Sequence, residues 1–343
     1  MIKYAIQIIF ILKFSLAFAK TPLNYTLILS GGYDSNVMRF SADEIDDASQ
    51  NLDKLGSSSR FDSFVSKYGF RTKKDIWVAS KKNFSLNSNY TYSFYNHTPE
   101  KRYWSGGIDL IYKWGSYKNF KYSLRHLNKF YLRYYIDRDI STNALDACYF
   151  TDRNQYFTLT HRLSKFSWIN IGMGYLQRYY TKPFTEFDLD ILYFKGKLNY
   201  KIKRLGTLAI ELNQGRAISE SHIGVTRPSS FDRSYSTTET YIPLNLKSKI
   251  SSLNSYGFSY RSERRIYDAE DYNDILHSGR SHLDRKYDFW IRKNMSDEIS
   301  IKLSGRYRSR KTDSAFKWVS DLKSFNQLQC WINIEWDLIY DQY

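Results

Sequence analysis

Two sets of basic residues recur at even spacing, with members two or four positions apart: Lys121, Arg125, Lys129 and Arg133, then Lys302, Arg306, Arg308 and Arg310. Because side chains alternate between the faces of a β-strand, this spacing places each set on one face. Apolar residues take the alternate positions of the first set, namely Phe120, Tyr122, Leu124, Phe130, Leu132 and Tyr134. The basic face is therefore expected to meet water, where it would attract anions.

Further charged residues are predicted to share this water-facing side. The cations are Arg178, Arg261, Arg265, Lys286 and Arg292, and the acids are Asp109, Glu186, Asp188, Asp190, Glu335 and Asp337. Two interpretations remain open. Opposite charges can pair across strands and stiffen the wall, or the cations can outnumber the acids and select anions. The sequence has 51 Lys and Arg against 35 Asp and Glu, a net charge of +16, which favours a positive surplus.

A short acidic segment is the one part of the chain with helical spacing. Ser41 is placed to cap a helix that runs to Leu55, and the acids are Asp43, Glu44, Asp46, Asp47 and Asp53. Three interpretations remain open: a constriction that folds against the basic wall, a calcium site, or a solvated surface loop. The acids lack a fixed ligand spacing, so the sequence predicts no metal.

The histidines give no complete catalytic set. His126 and His161, with Asn128 nearby, suggest a lipid-hydrolase arrangement or a subunit contact, and His277 and His282 lie among acids of a predicted loop. Neither group shows a nucleophile, a base and an orienting residue together. We therefore predict no catalytic residue and no cofactor. The sequence also lacks a phosphate-binding loop and a nucleic-acid module, so no nucleic acid is expected.

The elements that must position these residues are strands, because apolar and polar residues alternate with a period of two along most of the chain. The predicted strands are 22–38, 61–79, 83–96, 102–114, 118–137, 150–164, 167–181, 185–203, 206–221, 233–250, 253–268, 281–293, 298–312 and 324–342. Short connections alternate with mostly longer ones. An even strand count with this alternation places both termini and the short turns on one side.

Composition indicates a membrane barrel. The sequence contains 31 Tyr, 22 Phe and 8 Trp, but no apolar run of helix-spanning length after residue 19. Residues 1–19, which end in Ala17-Phe18-Ala19, are typical of a cleaved signal peptide. Only Cys148 and Cys330 are present, so a disulfide scaffold is excluded.

A soluble β-sandwich also alternates, but its strands are about 5–6 residues long. The strands predicted here are longer and match a tilted membrane crossing of about 9–11 residues. We therefore predict an all-β fold: one transmembrane antiparallel barrel of about 14 strands, with 12–16 allowed, over residues 20–343. A short helical segment is expected in the first outer loop.

The chain resembles porin-like β-barrels of the Gram-negative outer membrane, through its signal peptide, its opening strand with Gly31-Gly32-Tyr33-Asp34-Ser35-Asn36, and its aromatic closing strand. The resemblance implies the cell outer membrane as location, with contacts to membrane lipid, lipopolysaccharide and the assembly machinery. It also implies a passive or weakly selective channel for small hydrophilic, preferentially anionic solutes, and a homo-oligomer is compatible with it. Two alternatives remain open: a plugged surface-binding or adhesion protein, and a lipid- or peptide-cleaving barrel.

Overall fold

A computed structural model describes residues 21–50, 52–137, 140, 144–220, 232–250, 253–271 and 273–341 of the 343. The predicted signal peptide, most of the loop around His222 and the terminal Tyr343 lie outside the described residues. None of the helices in the described ranges is long and apolar enough to cross a membrane.

The strands form one closed barrel in which each strand pairs antiparallel with its sequence neighbours and the last pairs with the first. Fourteen strands are present, so the predicted fold is confirmed. Their bounds are β1 Leu23–Asp34, β2 Ser63–Ala79, β3 Lys82–Tyr95, β4 Tyr103–Gly115, β5 Lys118–Ile136, β6 Leu145–Arg162, β7 Ser167–Tyr180, β8 Leu189–Ile202, β9 Gly206–Ile218, β10 Tyr235–Lys247, β11 Ser255–Tyr267, β12 Ser281–Asn294, β13 Ile299–Asp313 and β14 Phe325–Tyr340.

Apolar side chains cover the outer surface of the barrel. On β8, for example, Leu192, Phe194 and Leu198 are each 45% exposed or more, while the alternate residues Lys195 and Lys197 face inward. Ion pairs and buried polar side chains occupy the inner face. The apolar surface thus points away from the lumen, the reverse of a water-soluble fold.

The outer faces of β5 to β8 carry a row of polar residues. Register places His126, Arg153, Gln177 and Asp190 side by side on β5 to β8. His126 lies nine residues beyond Tyr117 of the short turn. At about 2.5 Å of height per tilted strand residue this is roughly 23 Å, close to the apolar band of about 25 Å that a membrane barrel needs.

Alternation fails on β5, where the register with β6 shifts between Leu127 and Phe130 and again between Tyr131 and Arg133. Lys129 lies in the first bulge with φ 46° and is exposed, so alternation does not assign it to the lumen. Phe130 pairs with Phe150 on the inner face and not on the lipid face, contrary to the prediction. A bulge inserts an extra residue, which inverts the faces beyond it.

The long connections lie at the end of the barrel opposite the short turns. The predicted acidic helix is present as α1, Ala42–Gln50, followed by a 3₁₀ turn at Leu52–Leu55. Ser41 and Glu44 form a reciprocal capping box, with N–H to side-chain oxygen distances of 2.9 and 3.1 Å. A second helix, α2, Lys317–Lys323, was not predicted, and it packs against α1. The apolar side of α1 packs on Tyr131 with Met38, Phe40, Ala48 and Leu55.

Candidate functional site

The inner wall formed by β10 to β13 carries charges in ordered rows. One row consists of Glu239, Glu263, Asp284 and Arg310, which register places on neighbouring strands. The next inward-facing row toward the short turns consists of Tyr241, Arg261, Lys286 and Arg308. Like charges side by side repel, so a row of carboxylates or a row of cations is unfavourable by itself. Because the two rows are neighbours, ion pairs between them offset this repulsion.

Ion pairs lie between these two rows, within them and beside them. Arg261 contacts Glu239 at 3.2 Å, Arg310 contacts Asp284 at 2.9 Å, and Arg306 contacts Asp288 at 2.6 Å. Arg265 pairs with Glu263, and Arg308 pairs with Asp284, whose carboxylate is therefore shared by two arginines. These planar, multiply bonded pairs hold the wall rigid.

The opposite wall has the same kind of pair. Arg125 contacts Asp109 at 2.6 Å, and Arg178 makes two bonds of 2.8 Å to Asp152. Near the short turns, Arg292 pairs with Glu335, and Thr26 donates a hydrogen bond of 2.5 Å to Asp337. The structure thus contains the cross-strand pairing that the first interpretation required, mostly through arginine.

Lys197 of the inner wall pairs with Glu211 at 3.3 Å, but several other inner lysines contact aromatic rings without an ion pair. Lys67 lies 3.8 Å from the Trp331 ring centroid, Lys302 5.0 Å from Trp290, and Lys121 and Lys195 5.5 and 5.1 Å from Tyr156. Within the described ranges, none of these four ammonium groups forms an ion pair with a carboxylate, and neither does Lys286. A ring stabilises an ammonium group without neutralising it. Their positive charge therefore remains available to a solute.

Most predicted lumenal residues lie on the inner face. These are Lys121, Arg125, Arg133, Arg178, Arg261, Arg265, Lys286, Arg292, Lys302, Arg306, Arg308, Arg310, Asp109, Glu335 and Asp337. Asp152, Glu239 and Lys195 share that face and were not singled out by sequence.

Three predicted lumenal acids lie elsewhere. Asp190 is on the outer face, where it accepts a hydrogen bond of 2.7 Å from Tyr175. Glu186 and Asp188 precede β8, which begins at Leu189, and Glu186 lies in a buried 3₁₀ turn. The prediction extended β8 backward through this turn, and so assigned faces where no strand exists.

Glu44 of the acidic segment contacts the basic wall. Glu44 pairs with Arg133 at 2.6 Å, and Arg133 also donates to the carbonyls of Met38 and Arg39 at 2.9 and 2.6 Å. Asp43, Asp46 and Asp47 are exposed, and Asp47 pairs with Lys54. Asp53 is exposed as well. Across the described ranges no three His, Cys, Asp or Glu side chains are grouped as a metal site would require.

Buried cations anchor the outer connections. Lys101 is 3% exposed, donates a 2.8 Å bond to the carbonyl of Val37 and lies 4.5 Å from the Phe130 ring. Burial lowers the pKa of Lys101 to about 7. Burial, together with the charges of Arg133, Arg280 and Arg233, likewise lowers the pKa of Lys323 on α2 to about 7. Both lysines lie where neighbouring connections meet.

The histidine groups do not form a hydrolase site. His126 is opposite Arg153, whereas His161 is eight residues farther along β6, roughly 26 Å away. His277 contacts Asp274 at 2.8 Å, and burial lowers its pKa to about 4. The Thr312 hydroxyl lies 2.8 Å from a ring nitrogen of the other histidine, His282. The acid–base pair and the hydroxyl are thus on different histidines.

Comparisons with known proteins show similarity of fold only. No protein-family model and no curated protein matches the sequence. Among solved structures, Pseudomonas aeruginosa OpdK with vanillate has 8% identity and a TM-score of 0.42, covering 93% of this chain and 99% of that chain. Acinetobacter baumannii OccAB3 has 9% identity and a TM-score of 0.43, with the same coverage. These values are too low to transfer a ligand or a function.

The fold and the inner wall together define a class of protein: a closed antiparallel barrel with an apolar outer surface and a charged interior. This is the architecture by which β-proteins cross a bilayer, because closure pairs every backbone group and alternation separates lipid from water.

Proposed function

We propose that the protein is a channel of the Gram-negative outer membrane, without a catalytic role. The apolar band of roughly 23 Å supports a bilayer location. Arg153, Arg264 and Arg285 face outward at or beyond its polar edge, where lipopolysaccharide phosphates would meet them. Contacts with the assembly machinery and a homo-oligomeric state stay predictions.

The channel favours small anions. The observation that supports this is the set of inner lysines that contact rings and not carboxylates, namely Lys67, Lys121, Lys195 and Lys302. Each paired arginine is balanced by its carboxylate, so the pairs add no net charge and mainly hold the wall rigid. The lysines supply the surplus charge that raises the local anion concentration.

Ion selectivity in a planar bilayer under a salt gradient tests this proposal. The double variant Lys121→Gln with Lys195→Gln removes two uncompensated charges around Tyr156, and its reversal potential should move toward cations. The matched control, Asp109→Asn with Arg125→Gln, removes one charge of each sign and should leave the potential where it is. The wild-type preference should weaken in 1 M salt, where the screening length is about 3 Å.

A lysine variant that conducts with the wild-type reversal potential would refute the selectivity. A wild-type barrel that folds but never conducts would favour the second candidate, a closed binding protein. The packing of α1 on α2 and the Glu44–Arg133 pair support that candidate. Deleting residues 43–53 should then create conductance, because it removes the acidic side of that contact.

A further inference from the structure

Two tryptophans flank a serine on the inner wall. Register places Trp290 of β12, Ser304 of β13 and Trp331 of β14 in one row, with Ser304 in the middle. Two strand spacings, about 9.5 Å, separate the backbones of the tryptophans. We call this feature the tryptophan cleft.

Both indole rings pack over glycines of the flanking strands. Trp290 lies opposite Gly257 of β11, where an added Cβ would come within 2.6 Å of the indole. Trp331 lies opposite Gly32 of β1, where an added Cβ would also collide with the ring. Each indole therefore leans away from Ser304 and lies flat against the wall. The space above Ser304 stays open because these two glycines have no side chains.

Two uncompensated cations border the cleft on the side of the short turns. Lys302, Asn333, Ser30 and Lys67 form the next row, and the two ammonium groups reach up to Trp290 and Trp331 at 5.0 and 3.8 Å. On the other side, Arg306 is neutralised by Asp288, which also accepts a 3.0 Å bond from Ser259. The net charge facing the cleft is therefore positive.

These side chains line a cavity of about 510 Å³. This volume exceeds what a chloride ion needs and lies in the range of pockets for small organic ligands. Its lining includes donors beside aromatic surface, namely the two ammonium groups, the Ser304 hydroxyl and the Asn333 amide, and also the Asp288 carboxylate, which Arg306 pairs. Another lysine of this cavity, Lys197, pairs with Glu211 at 3.3 Å, whereas Lys67 and Lys302 contact indole rings and form no ion pair within the described ranges.

We infer that the tryptophan cleft binds a small organic anion with a flat apolar part. The apolar part packs between the indoles above Ser304, and the anionic group accepts hydrogen bonds from Lys302 and Lys67. This inference rests on the proposed function in one respect, namely that small anions enter the lumen. The cleft is then a binding site on their route through the channel.

Binding can be measured without conductance, by calorimetry and tryptophan fluorescence on the folded barrel in detergent. Benzoate serves as the probe, with acetate as an anion without a ring and benzyl alcohol as a ring without a charge. Benzoate should saturate one site, at least tenfold more tightly than either comparison compound. Equal binding of benzoate and acetate would overturn the role of the indoles.

Variants locate the site. Lys302→Gln and Gly257→Ala should each weaken benzoate binding at least fivefold, the second by pushing the Trp290 indole off the wall without a change in charge. The matched controls are Lys203→Gln in the exposed turn between β8 and β9 and Gly31→Ala, where an added Cβ meets nothing within 4 Å. Controls that lose as much affinity as the cleft variants would refute the site.

The outcomes separate the two proposals. An anion-selective channel that does not bind benzoate in the folded state would overturn the cleft and leave the channel intact. A barrel that binds benzoate at the cleft but never conducts would overturn the channel and leave the binding site. Heat-modifiable mobility on gels shows that each variant has folded before it is titrated.

Discussion

At the scale of single residues, the structure separates ion-paired cations of the inner wall, mostly arginines, from lysines that contact only rings. The sequence predicted the inward position of Arg125, Arg306 and Arg308 from alternation, and that position is observed. Sequence could not predict which cations are neutralised, because a partner such as Asp288 or Asp152 lies on another strand. Pairing depends on register, which is set by the whole barrel and not by local spacing.

Lys101 gives a prediction at this scale. Its folded-state pKa of about 7 is below the ordinary value, so between pH 7 and 10.5 the unfolded segment binds more protons than the docked one. Docking of residues 39–61 should therefore strengthen as pH rises from 7 to 9, because the buried ammonium loses its proton. Proteolytic cleavage of this loop should slow over that range.

The control is Lys101→Met, which keeps the apolar stem on the Phe130 ring but cannot titrate. Comparing variant and wild type at each pH cancels the pH dependence of the protease. The ratio of their cleavage rates should change with pH. A constant ratio would show that Lys101 does not link docking to pH.

At the scale of elements, alternation was enough to predict the number of strands but not every face. It failed at Lys129 and Phe130, where two bulges on β5 invert the pattern, and at Glu186 and Asp188, where a 3₁₀ turn replaced the start of the predicted strand. Nothing local in the sequence marks these bulges. They lie beside Tyr131, which packs against the first outer connection.

A pair of arginine substitutions tests the assignment of faces. Ile171 of β7 is outward-facing and 56% exposed, and Thr158 of β6 is inward-facing at a similar depth, opposite Gly172. Arginine at Ile171 should reduce the free energy of unfolding in lipid by about 2–4 kcal/mol, because it enters the middle of the bilayer. Arginine at Thr158 stays in the aqueous lumen and should cost only about 0.2–1 kcal/mol, from repulsion by Lys121 on the opposite strand. Equal effects in denaturant titrations would mean that the faces are exchanged.

At the scale of the whole molecule, the even strand count fixes the orientation. The short turns, the start of β1 and the end of β14 lie at one end of the barrel, which the bacterial pattern places in the periplasm. An epitope tag after Asp271 should bind antibody on intact cells, whereas a tag after Leu205 should bind only after the outer membrane is permeabilised. The opposite labelling would invert the barrel.

Closure of the barrel has a consequence for its biogenesis. β1 pairs with β14 from Leu23 and Tyr340 onward, so the seam joins residues from opposite ends of the chain. Until β14 is available, β1 presents an unpaired edge, and unpaired edges recruit strands from other chains. Contacts of such long sequence separation also form slowly. A nascent chain is therefore vulnerable to misassembly until its final strand arrives, and a truncation within β14 should leave no partly functional barrel, only an aggregating or degraded polypeptide.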